Sequence, residues 1–184
     1  MIDSSACVNY IEDLFKEIYY SQFDNINLAY QLIKEKINIG GSIYFFGQGH
    51  SVWVGKEAVA TYDLPLKILL ETNDSPKELI EKNRLCSNDL VVIVSNSGIN
   101  SYIVELAITL KKLDIDIITI SSFKHCLNCD SRHKSKTKLY EYGKVNIDNC
   151  CVYGDAAILD DEKYIGSFSS IANNAIIHTI LQKL

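Results

Sequence analysis

The residues with the most chemistry to offer stand at Ser95-Asn96-Ser97-Gly98-Ile99-Asn100. Two hydroxyls sit two residues apart, followed by a glycine. The apolar run Leu90 to Val94 precedes them, and a helical pattern follows. A phosphate carries acceptor oxygens only, so it is held by donors that converge on one spot. Hydroxyls, amides and the free N–H groups at a helix start supply such donors without formal positive charge. Helix capping by Ser97 or Asn100 explains one of these polar groups. It does not explain a pair of hydroxyls with a glycine behind a fully apolar strand.

A second loop, Gly47-Gln48-Gly49-His50-Ser51, has the same context. Its glycines let the backbone turn tightly and approach a ligand, and Ser51 falls near the start of the next helix. A dinucleotide fingerprint needs a third small residue where Val52 stands, so no nucleotide cofactor is expected. Proton transfer needs groups that titrate, or can be tuned, near neutral pH. His50 lies in the loop itself, and imidazole is the side chain suited to that range. Glu57 lies on the following helix. His178 lies in the last helix, on a polar stripe with Ser167, Ser170 and Asn174 at spacings of three, four and four. The rest of that helix is apolar, so its stripe must find partners or line a wet cavity. The structural alternatives are a solvated carboxylate at Glu57, a loop-packing imidazole at His50 and a core histidine at His178.

Six cysteines stand at 7, 86, 126, 129, 150 and 151. Cys126-Leu127-Asn128-Cys129, with His125 and His133 nearby, has half the spacing of a zinc site. No second CxxC completes it, so reduced thiols and no metal are expected. A redox dithiol normally opens a helix, whereas this stretch reads as loop.

The elements that must position these loops follow from hydrophobic patterning. Short apolar runs at Ser42–Phe46, Leu66–Leu70, Leu90–Val94, Asp116–Ile120 and Lys144–Ile147 read as strands, most of them buried on both faces. Helical spacing appears at Val8–Ile18 and Ile26–Ile37, which reads as two helices ended by Gly40-Gly41. It appears again after Ser75-Pro76-Lys77-Glu78, a capping box with proline at the first helical position, and from Ile99 to Leu113. Ala156–Leu159 and Tyr164–Gly166 read as a hairpin, and a last helix runs from Ser169 to Leu184. Strands alternating with helices imply a parallel, doubly wound α/β sheet.

A chain of 184 residues fits one domain. Its 18 Lys and Arg against 23 Asp and Glu leave a net charge of −5, which argues against a nucleic-acid face. The start carries no signal-peptide pattern, and no apolar run approaches the ~20 residues of a membrane helix. A cytoplasmic protein without nucleic-acid or membrane contact is expected.

The order G-x-G-x-S after the first strand, then S-x-S-G before a helix, resembles the sugar isomerase (SIS) domain family. Further shared stretches are Ser131-Arg132-His133, Lys138-Leu139-Tyr140, Asp148-Asn149 and Gly154-Asp155-Ala156. The likeness spans nearly the whole chain and is closest to stand-alone bacterial SIS proteins. It implies a three-layer α/β sandwich with a five-stranded parallel sheet of flavodoxin-like topology. Residues 1–40 would be the N-terminal helices and 41–184 the phosphosugar-binding core. It also implies dimers or tetramers and a sugar phosphate held by Gly49, Ser51, Ser95, Asn96, Ser97, Gly98 and Asn100. Many members carry threonine where this chain has Asn100, whose amide can still donate. Glu57, His178 and His50 are the implied acid–base groups for aldose–ketose isomerisation. A lyase or etherase, or a non-catalytic phosphosugar sensor, are the alternatives. Arg132 and His133 would add donors, while Asp148, Asn149 and Asp155 would order the long loop or bind sugar hydroxyls.

Overall fold

The computed structural model describes residues 4–70, 73–160 and 162–184. Five strands, β1 (Ile43–Gly47), β2 (Leu66–Ile68), β3 (Leu90–Val94), β4 (Asp116–Ser121) and β5 (Val145–Asp148), form one parallel sheet in the order β2-β1-β3-β4-β5. Both β1 and β3 are buried at every residue. Helices therefore cover both faces of the sheet, and successive side chains feed opposite cores. Ile43, Phe45, Val92, Val94, Ile118 and Ile120 enter one core with α1 (Ser4–Asn38), α2 (Val52–Thr61) and α6 (Ser169–Leu181). Tyr44, Phe46, Val91, Ile93 and Ile117 enter the other with α3 (Pro76–Lys82) and α4 (Ser101–Lys112). The sequence-based sandwich and its sheet are found as expected.

The strand order places the site. After β1 the chain turns to α2 on one face; after the adjacent β3 it turns to α4 on the other. Such a switch point opens a crevice at the carboxyl ends of the strands. Ile43 pairs with Leu90 and Gly47 with Val94, so the two strands end level and deliver their loops side by side. Gly47 is required sterically, because a Cβ there would lie 2.7 Å from the Ser51 backbone.

The two N-terminal helices read from the sequence are a single helix of 35 residues. No glycine or proline interrupts residues 4–38, and the polar stretch between the two apolar patterns stays helical. Ser21 there donates its hydroxyl to the Glu17 carbonyl at 2.7 Å. Helix α1 stops where expected, with Gly40 at φ +80° donating to the Ile37 carbonyl. Helix α3 carries the expected capping box: Ser75 accepts from the Glu78 N–H, and the Glu78 carboxylate accepts from the Ser75 N–H. The hairpin is an antiparallel pair, β6 (Ile158–Asp160) with β7 (Lys163–Ile165); Asp161, part of its expected turn, lies outside the described residues. Residues 123–126, read as loop, form a short helix, α5 (Phe123–Cys126), capped by the Ser122 hydroxyl. No helix among the described residues is long and apolar enough to cross a membrane.

Candidate functional site

The two loops open into one cavity of about 360 Å³. Gln48, Gly49, His50 and Ser51 line it from the first loop, and Ser95, Asn96, Ser97 and Asn100 from the second. His125, Asp155, Ser167 and Ser169 close it from later segments. Its lining contains no lysine or arginine among the described residues, so an anion would be held by hydroxyls and amides. Gly98 is not part of the lining. It shapes the loop at φ +62°, a conformation that a Cβ disfavours.

Fixed hydrogen bonds set the direction of three donors in the second loop, those of Ser95, Asn96 and Asn100. Ser95 is 6% exposed, and its Oγ accepts the Gly98 N–H at 3.2 Å, which leaves its own O–H to donate. Asn100 caps α4, its Oδ1 accepting the Tyr102 N–H at 2.9 Å. Its Nδ2 is thus the end left for the cavity. Asn96 is oriented indirectly. The Cys151 N–H can only donate, and it does so to Asn149 Oδ1 at 3.1 Å. The Asn149 Nδ2 must then donate, and it reaches Asn96 Oδ1 at 3.1 Å and Asn173 Oδ1 at 3.0 Å. With Oδ1 engaged, Asn96 turns its Nδ2 donors toward the cavity it lines. Asn149 is fully buried, so no water competes for these bonds. The hydroxyls of Ser51 and Ser97 are hydrogen-bonded to no other described residue.

Backbone bonds strap the long loop onto this turn: Arg132 N to the Ile99 carbonyl at 3.0 Å, Leu139 N to the Gly98 carbonyl at 2.9 Å, and Ser122 N to the Asn96 carbonyl at 2.9 Å. Asp148 orders the same region by accepting from the Phe123 and Cys150 N–H groups, each at 2.9 Å; burial pushes its carboxyl up despite those bonds. Arg132 and His133 do not line the cavity. His133 is buried against α4, with Nε2 2.6 Å from the Glu105 carboxylate and Nδ1 2.7 Å from Ser135 Oγ.

The far wall is built differently. Asp155 accepts three hydrogen bonds, each of 2.7 Å, from Ser167 Oγ, Ser169 Oγ and the Ser169 N–H. His125 sits beside it against the Tyr153 ring, with centroids 4.7 Å apart. Burial lowers the His125 pKa and outweighs the nearby Asp155 carboxylate. Its Nδ1 accepts the Gly154 N–H at 3.4 Å, so the neutral ring carries its proton on Nε2.

Of the three expected acid–base groups, only His50 lines the cavity. Glu57 and His178 meet each other instead. His178 Nε2 lies 3.3 Å from Glu57 Oε1, and its Nδ1 lies 2.8 Å from the Tyr62 hydroxyl. The carboxylate can only accept, so Nε2 donates to Glu57; in a neutral ring Nδ1 then accepts from the Tyr62 hydroxyl. His178 stands nine residues beyond Ser169 on α6, about 13 Å along the axis. The polar stripe is therefore divided: Ser167 faces the cavity, and His178 faces the C-terminal end of α2.

Sequence reasoning does not single out Ser169, and it notes His125 only as a neighbour of the CxxC. The first turn of an apolar helix and the carboxylate of Gly154-Asp155 are the available signals for this wall. The CxxC cysteines find no third ligand, since no three His, Cys, Asp or Glu side chains gather to hold a metal among the described residues. All six cysteines are free thiols. Burial pushes the Cys150 thiol up to about 11 and that of Cys151 higher still, so neither is a ready nucleophile.

The SIS domain family model matches residues 68–122, from β2 through the second loop to the end of β4. A UPF0309 protein of Halalkalibacterium halodurans is 31% identical over 193 residues, covering 91% of this chain and 80% of that protein. The phosphoheptose isomerase GmhA of Neisseria gonorrhoeae superposes with a TM-score of 0.69 at 12% identity, over 97% of this chain and 95% of that one. A hypothetical protein of Methanococcus jannaschii gives 0.64 at 15% identity, over 96% and 85%. These structures share the fold, and at this identity they carry no more than that. The relatives, the domain match and the β2-β1-β3-β4-β5 sheet agree: the chain belongs to the UPF0309 family of SIS-domain proteins.

Proposed function

We propose that the cavity binds a sugar phosphate and that the protein is a phosphosugar aldose–ketose isomerase. The observation that carries this reading is the donor wall: Ser95, Asn96 and Asn100, turned to the cavity by their fixed bonds, with the Ser51 and Ser97 hydroxyls in the same lining and no lysine or arginine beside them among the described residues. Phosphate sits on this wall. In this reading the sugar carbons extend toward His50, whose imidazole moves a proton between neighbouring carbons. Structural neighbours include two phosphoheptose isomerases and the Methanococcus jannaschii protein, for which 3-hexulose-6-phosphate isomerase function was inferred; these support the reaction class. In this reading residues 41–184 are the binding core, and the protein works in the cytoplasm without nucleic-acid or membrane partners. It acts as a homodimer or tetramer. The apolar groove of about 290 Å³ between α1 and α6, where Tyr19 and Phe23 are exposed, suits a second copy.

One observation favours a second reading, a sensor that binds without turnover: Glu57 and His178 are engaged with each other outside the cavity lining. Incubation with a panel of sugar phosphates in deuterated water separates the two. An isomerase incorporates solvent deuterium at C1 or C2 of a ligand that it binds, as read by NMR. Binding without exchange for every ligand overturns the isomerase and leaves the sensor.

A further inference from the structure

The cavity is chemically polarised. Its cradle wall, Ser95 to Asn100, presents donors, because the acceptor atoms of Ser95, Asn96 and Asn100 are already occupied by N–H groups. The opposite wall has the reverse character. Both hydroxyl hydrogens of Ser167 and Ser169 are directed at Asp155 Oδ2. Each serine oxygen is left with lone pairs only, and Asp155 is the one carboxylate of the described lining. A carboxylate offers about four acceptor positions, and three are used. One remains. A ligand with a phosphate at one end leaves this acceptor wall unsatisfied unless its other end brings donors. A neutral sugar brings hydroxyls, but the phosphate and Asp155 then face each other across a lining without lysine or arginine among the described residues. Two like charges facing one cavity repel each other, and a cation between them relieves that repulsion.

Resting on the phosphosugar reading above, we infer that Asp155, Ser167 and Ser169 form a subsite for an ammonium group, so that the preferred ligand is an amino-sugar phosphate spanning the cavity. The ammonium donates to Asp155 and to the two serine oxygens, which are strengthened as acceptors by their own bonds to the carboxylate. The phosphate lies on the cradle, and one positive charge offsets Asp155. An N-acetylated sugar fails twice, since it lacks the charge and turns a bulky acyl group toward the wall.

The test uses matched trios of hexosamine 6-phosphate, N-acetylhexosamine 6-phosphate and hexose 6-phosphate, in gluco, galacto and manno configurations. Binding is measured by calorimetry at slightly acidic pH, where the amine is protonated. At least one hexosamine 6-phosphate is expected to bind roughly tenfold or more tightly than its hexose counterpart, the value of a charge-assisted hydrogen bond. The Asp155→Asn variant is expected to erase that gap. Asparagine accepts the φ of +74° that Asp155 adopts and keeps the bond from the Ser169 N–H, so the fold stands. Ser167→Ala is expected to narrow the gap without closing it. Hexose phosphates binding as tightly as the amines, in the native protein, overturns the subsite and leaves the phosphate cradle intact. No binding by any member of any trio overturns the cradle and the subsite together.

Discussion

Asn149→Asp isolates the orientation of the cradle from its stability. In the native protein the Asn149 amide donates to Asn96 and Asn173 and accepts from Cys151 N–H. A carboxylate at the same place still accepts from Cys151 but can no longer donate. The Asn96 and Asn173 amides then rotate to present Nδ2 to it, and Asn96 turns its Oδ1 to the cavity. A donor to phosphate becomes an acceptor facing phosphate. A lost hydrogen bond to a charged group is worth ~1.5–3 kcal/mol, which is roughly a 10- to 150-fold loss of affinity. The buried carboxylate keeps three donors, so the stability cost is about 1–3 kcal/mol, or about 2–12 °C in Tm. Asn149→Ala is the informative contrast. It orphans the buried Cys151 N–H and the Asn173 Oδ1, so it destabilises at least as much, yet it leaves Asn96 able to offer either end. Calorimetry with the tightest sugar phosphate, beside thermal melts, reads both quantities. The Asp variant should bind worse than the Ala variant while melting no lower. Binding by Asn149→Asp within threefold of native, or weaker binding by Asn149→Ala than by Asn149→Asp, refutes the reasoning.

Ser97→Ala removes a hydroxyl that bonds to no described residue; affinity for sugar phosphate should fall about fivefold, near 1 kcal/mol, with Tm almost unchanged. Ser75→Ala breaks the α3 capping box away from the cavity, so Tm should fall about 2–4 °C at constant affinity. Burial would raise the Asp116 carboxyl, but bonds from Lys144 and Lys36 outweigh it and hold it below its ordinary value. Its stabilisation is therefore complete above the unfolded carboxylate pKa of about 4 and is lost as pH falls through the lowered value. Asp116→Asn should flatten this acid limb in melts recorded from neutral pH downward, and an unchanged limb would remove Asp116 from the account.

What the sequence made legible follows the range of each interaction. The parallel sheet and both cradle loops are readable because apolar runs and glycine–serine turns are local signals. The break expected in α1 is a false one: polar residues at 21, 22, 24 and 25 interrupt the apolar pattern, but nothing there breaks a helix. Spacing places Ser167 and His178 on one helical stripe. It cannot reveal that the packing of α6 on α2 commits His178 to Glu57 and Tyr62. The Asp155 wall depends on a contact between Gly154-Asp155 and the start of α6, twelve to fourteen residues on. The orientation of Asn96 depends on Asn149, 53 residues away. Neither has a periodicity to find.

The strand order has a mechanical consequence. The first loop feeds α2 in one apolar core, and the second feeds α4 in the other. A molecule gripped by both loops is therefore a cross-brace over the seam of the sheet. Amide exchange should register this as protection gained in α2 and α4 together, on opposite faces of the protein, because loosening either core now requires the ligand to leave.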